Sequence, residues 1–159
     1  NSDLGISAEE ANKIAYEAYE AKDYAKAMKY YLYAAEKNND VAQCQIGTMY
    51  SIGHGVTKDY AVAMKWYLKS AEQGHVLAQF CLGTMYYLGQ GVAKDYAESF
   101  KWYHKAAEQG NDSAMWSVAL CYENGTGVEK NIDKAVYWYK KGAEKGETNC
   151  KEALTRLGY

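Results

Sequence analysis

The side chains best equipped for chemistry in this chain are four cysteines and three histidines, with three glycine-flanked loops beside them, and their spacing argues against catalysis. Cys44, Cys81, Cys121 and Cys150 could in principle pair. A disulfide framework in a repetitive chain would reuse one position per repeat, whereas each of these four replaces an ordinary small or apolar residue, as thiols in a packed core do. His54 falls in a loop, His75 between helices and His104 on a polar helix face. No Cys, Asp or Glu recurs near them at ligand spacing, so neither a metal nor any other cofactor is expected. The loops GHG, GQG and GTG, ending at Gly55, Gly91 and Gly127, look like phosphate cradles, but no strand precedes them and a third glycine is missing. Their threefold occurrence marks them as hairpin turns. No serine-nucleophile motif or carboxylate dyad stands out, and the expectation is a protein that is not an enzyme. Asn111 with Ser113, and Asn124 with Thr126, fit the N-glycosylation pattern, which matters only in a secreted chain.

Composition narrows the partners. With 48% hydrophobic and 24% charged residues the chain has enough apolar material to fold. A net charge of -2 and a pI near 6.0 leave no basic stripe for phosphates, so nucleic acid is not an expected ligand. The apolar stretches are short and broken by Lys, Glu or Gln, which argues against membrane insertion. Unpaired cysteines favour a cytoplasmic setting and a removed signal peptide would permit a periplasmic or secreted one, so the compartment stays open.

The elements that must carry these residues repeat. Segments 46–74, 82–110 and 118–146 align without a gap at a shift of 36 residues, and a leading copy runs through KDYAKAMKYYLYAAEKN with four residues missing from its turn. Within each unit Ala42, Ile46, Met49 and Tyr50 form one helical stripe, and Tyr60, Ala63, Met64, Tyr67 and Ala71 a second. Each unit is therefore a two-helix hairpin. Ser7 with Glu10 has capping-box spacing at the front. Asp23, Asp59, Asp95 and Asn131 stand where a short oxygen-bearing side chain caps the second helix. Gly53, Gly89 and Gly125 stand where the first helix ends, and Val56, Val92 and Val128 plug the loop. Glycine inside a helix costs about 1 kcal/mol against alanine, so Gly47 and Gly83 imply that the two helices of a hairpin cross closely there. The recurring Trp66, Trp102 and Trp138 with Tyr67, Tyr103 and Tyr139 read as packing between units, and Lys65, Lys69, Lys101 and Lys105 as a solvated outer face. Residues 1–159 are read as one solenoid domain, with repeats about 7–39, 40–75, 76–111 and 112–147 and a cap at 148–159, in which Lys151, Glu152 and Arg156 face away from the apolar stripe.

The run from MY through GxGV, KDY, A, WY and AAEQG, as in TMYYLGQGVAKDYAESFKWYHKAAEQG, resembles the Sel-one-like repeat family, a relative of the tetratricopeptide repeats, over Val41 to Glu147. The first unit resembles a plain tetratricopeptide repeat. The resemblance implies an all-α, right-handed α/α superhelical solenoid that acts as a non-enzymatic scaffold or adaptor for protein–protein interaction, and a monomer is expected. A cysteine-rich branch of the family, with a disulfide tying each hairpin and β-lactam binding, supplies the alternative of a cell-wall ligand binder or hydrolase. This chain departs from it, since Ala71, Ala107 and Ala143 fill one recurring column and the cysteines fall in four. An engineered array without a ligand is the remaining alternative.

Columns that vary from copy to copy are the ones a ligand can claim, because the scaffold needs the same residue each time. On the first helices these are Cys44, Phe80 and Trp116; Gln45, Cys81 and Ser117; Thr48, Thr84 and Leu120; and Ser51, Tyr87 and Glu123. The resemblance places them on the concave wall, together with Asn12, Lys13, Tyr16 and Tyr19 of the first unit. Aromatic groups beside amides and hydroxyls suit a bound peptide or partner protein.

Overall fold

A computed structural model describes residues 3–159 and places nine helices among them, with no strand. In order these are α1 (Ala8–Glu20), α2 (Tyr24–Glu36), α3 (Asp40–Ile52), α4 (Tyr60–Glu72), α5 (Val76–Leu88), α6 (Tyr96–Glu108), α7 (Asp112–Asn124), α8 (Ile132–Glu144) and α9 (Thr148–Leu157). The architecture is an all-α solenoid of four hairpins and a closing helix. No helix among the described residues is long and apolar enough to cross a membrane. Residues 1–78 and 79–159 form two compact units, each with its own packing.

Capping chemistry sets the helix boundaries. Asp23, Asp59, Asp95 and Asn131 each accept from the backbone N–H three residues on, at 3.0–3.2 Å, as their position just ahead of the second stripe requires. Ser7 and Glu10 form the full capping box at α1. Gly53 and Gly125 end α3 and α7 in the left-handed conformation, which a glycine enters without strain. The first hairpin turns through residues 21–23 alone, four fewer than the seven of 53–59, and there Lys22 takes the positive φ.

The first helices have caps of their own. Asn39, Asn111 and Glu147 accept from the N–H groups of Ala42, Ala114 and Cys150. In the same column His75 accepts from the Ala78 N–H through Nδ1 at 3.3 Å. The Asn111 of the glycosylation pattern is thus a structural cap.

In the N-terminal unit α1 packs on α2, α2 on α3 and α3 on α4, burying Ala11, Ala15, Ala27, Tyr31, Ile46 and Met49. Gln43, 3% exposed, donates to the Ala35 carbonyl and accepts from Gln73, tying neighbouring helices across the core. In the C-terminal unit Leu82, Met85, Val118 and Tyr139 fill the equivalent space. Trp102 and Trp138 are buried as the repeat pattern demands, while Trp66 is half-buried with the Lys69 ammonium 4.6 Å from its ring centre. The lysines stay exposed but hold their ammonium groups over these indoles, Lys105 Nζ at 4.4 Å from the Trp102 ring centre and Lys141 Nζ at 5.5 Å from that of Trp138.

The predicted hairpin crossing is present. A Cβ at Gly47 would lie 2.8 Å from the Tyr67 ring, and one at Gly83 would lie 2.5 Å from the Tyr103 ring. Ser99 reinforces the second crossing by donating to the Gly83 carbonyl at 2.7 Å. The thiols are packed as the scattered columns suggest. Cys44, Cys121 and Cys150 are buried and Cys81 is half-buried, and burial pushes Cys121 up to about 11 and Cys150 to about 12.

Burial also holds His75 below the ordinary histidine range, opposed by the Asp40 carboxylate. To accept from the Ala78 N–H its Nδ1 must be unprotonated, so the unfolded chain takes the proton first on acidification. The cap's contribution is therefore full above about pH 6.5 and declines as pH falls below that value. His75→Asn, which restores the residue found at Asn39 and Asn111, should remove this part of the acid sensitivity. Urea unfolding of both proteins at about pH 7.5 and about pH 5 measures it; an identical loss in the two proteins is the contrary result.

Candidate functional site

Tyr67 and Tyr103, seated on Gly47 and Gly83, also reach the variable columns of the first helix. Tyr67 OH lies 2.9 Å from Thr48 Oγ1 and 3.4 Å from Ser51 Oγ. Tyr103 OH lies 3.0 Å from Thr84 Oγ1. In the last hairpin the threonine column holds Leu120, which has no hydroxyl, and the Tyr139 OH instead donates to Glu123 Oε2 at 2.9 Å. Burial, then the bond to this carboxylate, raises the Tyr139 phenol far above its ordinary range. Thr48, Thr84 and Glu123 are therefore occupied in keeping buried hydroxyls satisfied.

Glu123 has a second partner. The Arg156 guanidinium of α9 lies 2.7 Å from its Oε1 and 3.0 Å from its Oε2. Arg156 is exposed, but it does not simply face away as its position off the apolar stripe suggested. Its long stem carries the charge back to the Glu123 carboxylate of α7, and the contact raises its own pKa.

In the N-terminal unit the predicted residues are dispersed. Lys13 and Tyr16 are exposed on α1, Tyr16 by 53%. Asn12 is half-buried, and its Oδ1 has no hydrogen-bond partner among the described residues. Tyr19 is bonded to His54 Nδ1 at 2.8 Å, and the His54 ring stacks on Tyr24 at 4.7 Å. Cys44 is 2% exposed and belongs to the core, while Gln45, Thr48 and Ser51 are half-buried. A cleft of about 470 Å³ in this unit is walled by residues such as Gln43, Trp66, Lys69 and Gln73, and includes none of them.

In the C-terminal unit several of them converge. Tyr87 of α5 and Trp116, Ser117 and Leu120 of α7 border a cleft of about 170 Å³, completed by Tyr103, Cys121, Asn124 and Thr126. Trp116 and Leu120 also border a second cleft of about 320 Å³, whose other walls are Tyr139 and the α9 residues Asn149, Glu152, Ala153 and Arg156. The two side chains form a ridge between the clefts. Tyr87 remains 41% exposed and lies 5.2 Å from the ring of Tyr96. Phe80 and Cys81 are half-buried outside both clefts, Phe80 against the ring of Tyr103 at 5.5 Å.

The α9 residues were within reach of the column reading. Carried one copy further, at the same shift of 36, the Trp116 column meets Glu152 and the Leu120 column meets Arg156. The closing helix continues the first-helix pattern and adds its variable positions to the same face. The site offers apolar walls, amide and hydroxyl rims and one ion pair. No group of three or more His, Cys, Asp or Glu side chains capable of holding a metal occurs among the described residues.

An unsatisfied hydroxyl left in place of Glu123 should be costly. Glu123→Ala is expected to lower the urea-unfolding free energy by about 2 kcal/mol, and adding Leu120→Thr, which supplies the partner that Thr48 and Thr84 give their tyrosines, should recover part of it. Equal stabilities for the single and double variants would contradict the assignment.

The Sel1 repeat family matches residues 17–39, 40–75, 76–111 and 112–147. Among solved structures, a protective antigen present in uropathogenic Escherichia coli strains displaying an SLR fold is 36% identical with a TM-score of 0.89, over 92% of this chain and 32% of that one. A Sel1 repeat protein from Oxalobacter formigenes is 40% identical with a TM-score of 0.84, over 87% of this chain and 57% of that one. The chain thus spans only part of the length of both. Cysteine-rich protein B of Helicobacter pylori, 23% identical with a TM-score of 0.66, shares the fold alone. The sequence matches no curated protein.

Proposed function

The chain belongs to the Sel1 repeat family, whose members are generally non-enzymatic protein-interaction scaffolds, and we propose that it acts as one by taking a peptide segment of a partner on the face made by α5, α7 and α9. The observation that carries this reading is the Trp116–Leu120 ridge with an uncharged apolar cleft on one side and a cleft bearing Glu152 and Arg156 on the other. Both residues occupy columns that differ between repeats, so the hairpins do not require them. Exposed or half-buried aromatic side chains of this kind bury large area at little entropic cost, and Asn124, Thr126 and Ser117 at the rim can bond an extended backbone. Phe80, Cys81 and Thr84 serve in this reading as the packing beneath the α5 part of that face. In the N-terminal unit, Asn12, Lys13, Tyr16, Tyr19, Gln45 and Ser51 would supply recognition of their own.

The test is binding to peptides selected from a displayed random library on the intact chain. Trp116→Ala should weaken a selected peptide by about tenfold or more, as loss of a central aromatic anchor does. Lys101→Ala, on the exposed face of α6, should leave it unchanged. If Trp116→Ala and Tyr87→Ala retain full affinity in a folded protein, the face is not the site.

A further inference from the structure

From α5 to α8 the basic residues are segregated by helix, and α9 adds Lys151 and Arg156. Neither α5 nor α7 contains a single Lys or Arg, whereas α6 and α8 carry Lys101, Lys105, Lys134, Lys140 and Lys141. The α7–α9 cleft is lined by one carboxylate, Glu152, and one guanidinium, Arg156, and the charge of Arg156 is met by Glu123 beside the cleft. Arg156 is committed to Glu123, which also accepts from Tyr139. Glu152 is exposed and has no ion-pair partner among the described residues, so its carboxylate is the charge left to meet a ligand. The Trp116 indole borders the same cleft and offers a π face to a cation.

Across the ridge the setting is different. The cleft between Tyr87 and Trp116 holds no acidic or basic side chain, and its volume of about 170 Å³ is close to that of apolar cavities that admit a benzene ring. It has room for one large aliphatic or aromatic side chain. The two clefts share Trp116 and Leu120, so one short segment can reach both.

From this complementarity we infer that the occupant is a basic–apolar peptide segment: a leucine- or phenylalanine-sized side chain in the Tyr87–Trp116 cleft, and a lysine or arginine beside it over the ridge, against Glu152. The inference rests on the peptide-binding reading above and supplies the chemistry of its ligand. Attraction between a partly exposed carboxylate and a cation adds modestly to affinity and more to choice of partner, and it weakens with salt.

A defined set of fluorescein-labelled, end-capped octapeptides tests it by anisotropy with the full chain at low and high salt. Each peptide has one Leu or Phe in an Ala/Ser background, followed one or two residues later by Lys, Arg, Ser or Glu. The Lys and Arg peptides should bind about fivefold more tightly than the Glu peptides at low salt, and the gap should narrow at high salt. Glu152→Gln should erase the preference and Glu152→Lys should invert it; both change an exposed side chain, and circular-dichroism melting confirms the fold. A ranking indifferent to the peptide's charge, or one that survives Glu152→Lys, overturns the inference while leaving peptide binding intact if Trp116→Ala still weakens every peptide. Binding of no peptide, with or without self-association of the chain, overturns both.

Discussion

The two central hairpins depend on one contact, the ring of a second-helix tyrosine laid on a glycine of the first helix. Tyr67 on Gly47 and Tyr103 on Gly83 leave no room for a side-chain carbon, and both rings are nearly inaccessible to solvent. The glycine costs helix stability and the buried ring more than offsets it, since an aromatic side chain removes a large apolar area from water. The contact also fixes where the phenol ends. Its hydroxyl must find a partner in a dry place, and that demand writes itself onto the first helix as Thr48, Thr84 and, one turn along from Leu120, Glu123.

The last hairpin illustrates how a change at one position propagates. Leucine in the threonine column adds apolar surface to the face and removes a hydroxyl acceptor. Glu123 then serves Tyr139, and the buried end of that carboxylate attracts Arg156 from α9. The result is a ridge of Trp116 and Leu120 flanked by an apolar cleft and a charged one, whereas in the preceding repeat Phe80 packs on the Tyr103 ring and Thr84 bonds its hydroxyl. Structural need thus claims part of the variable columns.

The fold was legible because its determinants are local and recur. The caps at Asp59, Asp95 and Asn131, the left-handed glycines and the close crossings at Gly47 and Gly83 each follow from what one residue type can do with the backbone, and a shift of 36 residues displays the caps and turn glycines three times and the crossings twice. The site was legible only in part. Column variation found Tyr87, Trp116, Ser117 and Leu120, which do converge. It also gathered Cys44, which is buried, and Thr48, Thr84 and Glu123, which answer tyrosines from a different helix. Variation along a sequence does not distinguish a residue facing solvent from one compensating for a neighbour. His75 in an asparagine column is another case, a substitution that keeps the cap and changes its response to acid.

The central claim is that tyrosine on glycine, rather than helix propensity, sets the hairpin. A double-mutant cycle by urea denaturation addresses it directly, with Gly83→Ala measured in the parent and in Tyr103→Leu. Alanine is the better helix former by about 1 kcal/mol, yet in the parent its Cβ would meet the Tyr103 ring at 2.5 Å. The account predicts that Gly83→Ala destabilises the parent and stabilises the Tyr103→Leu protein, with a coupling free energy of about 1 kcal/mol or more. The same change in stability in both backgrounds would contradict it.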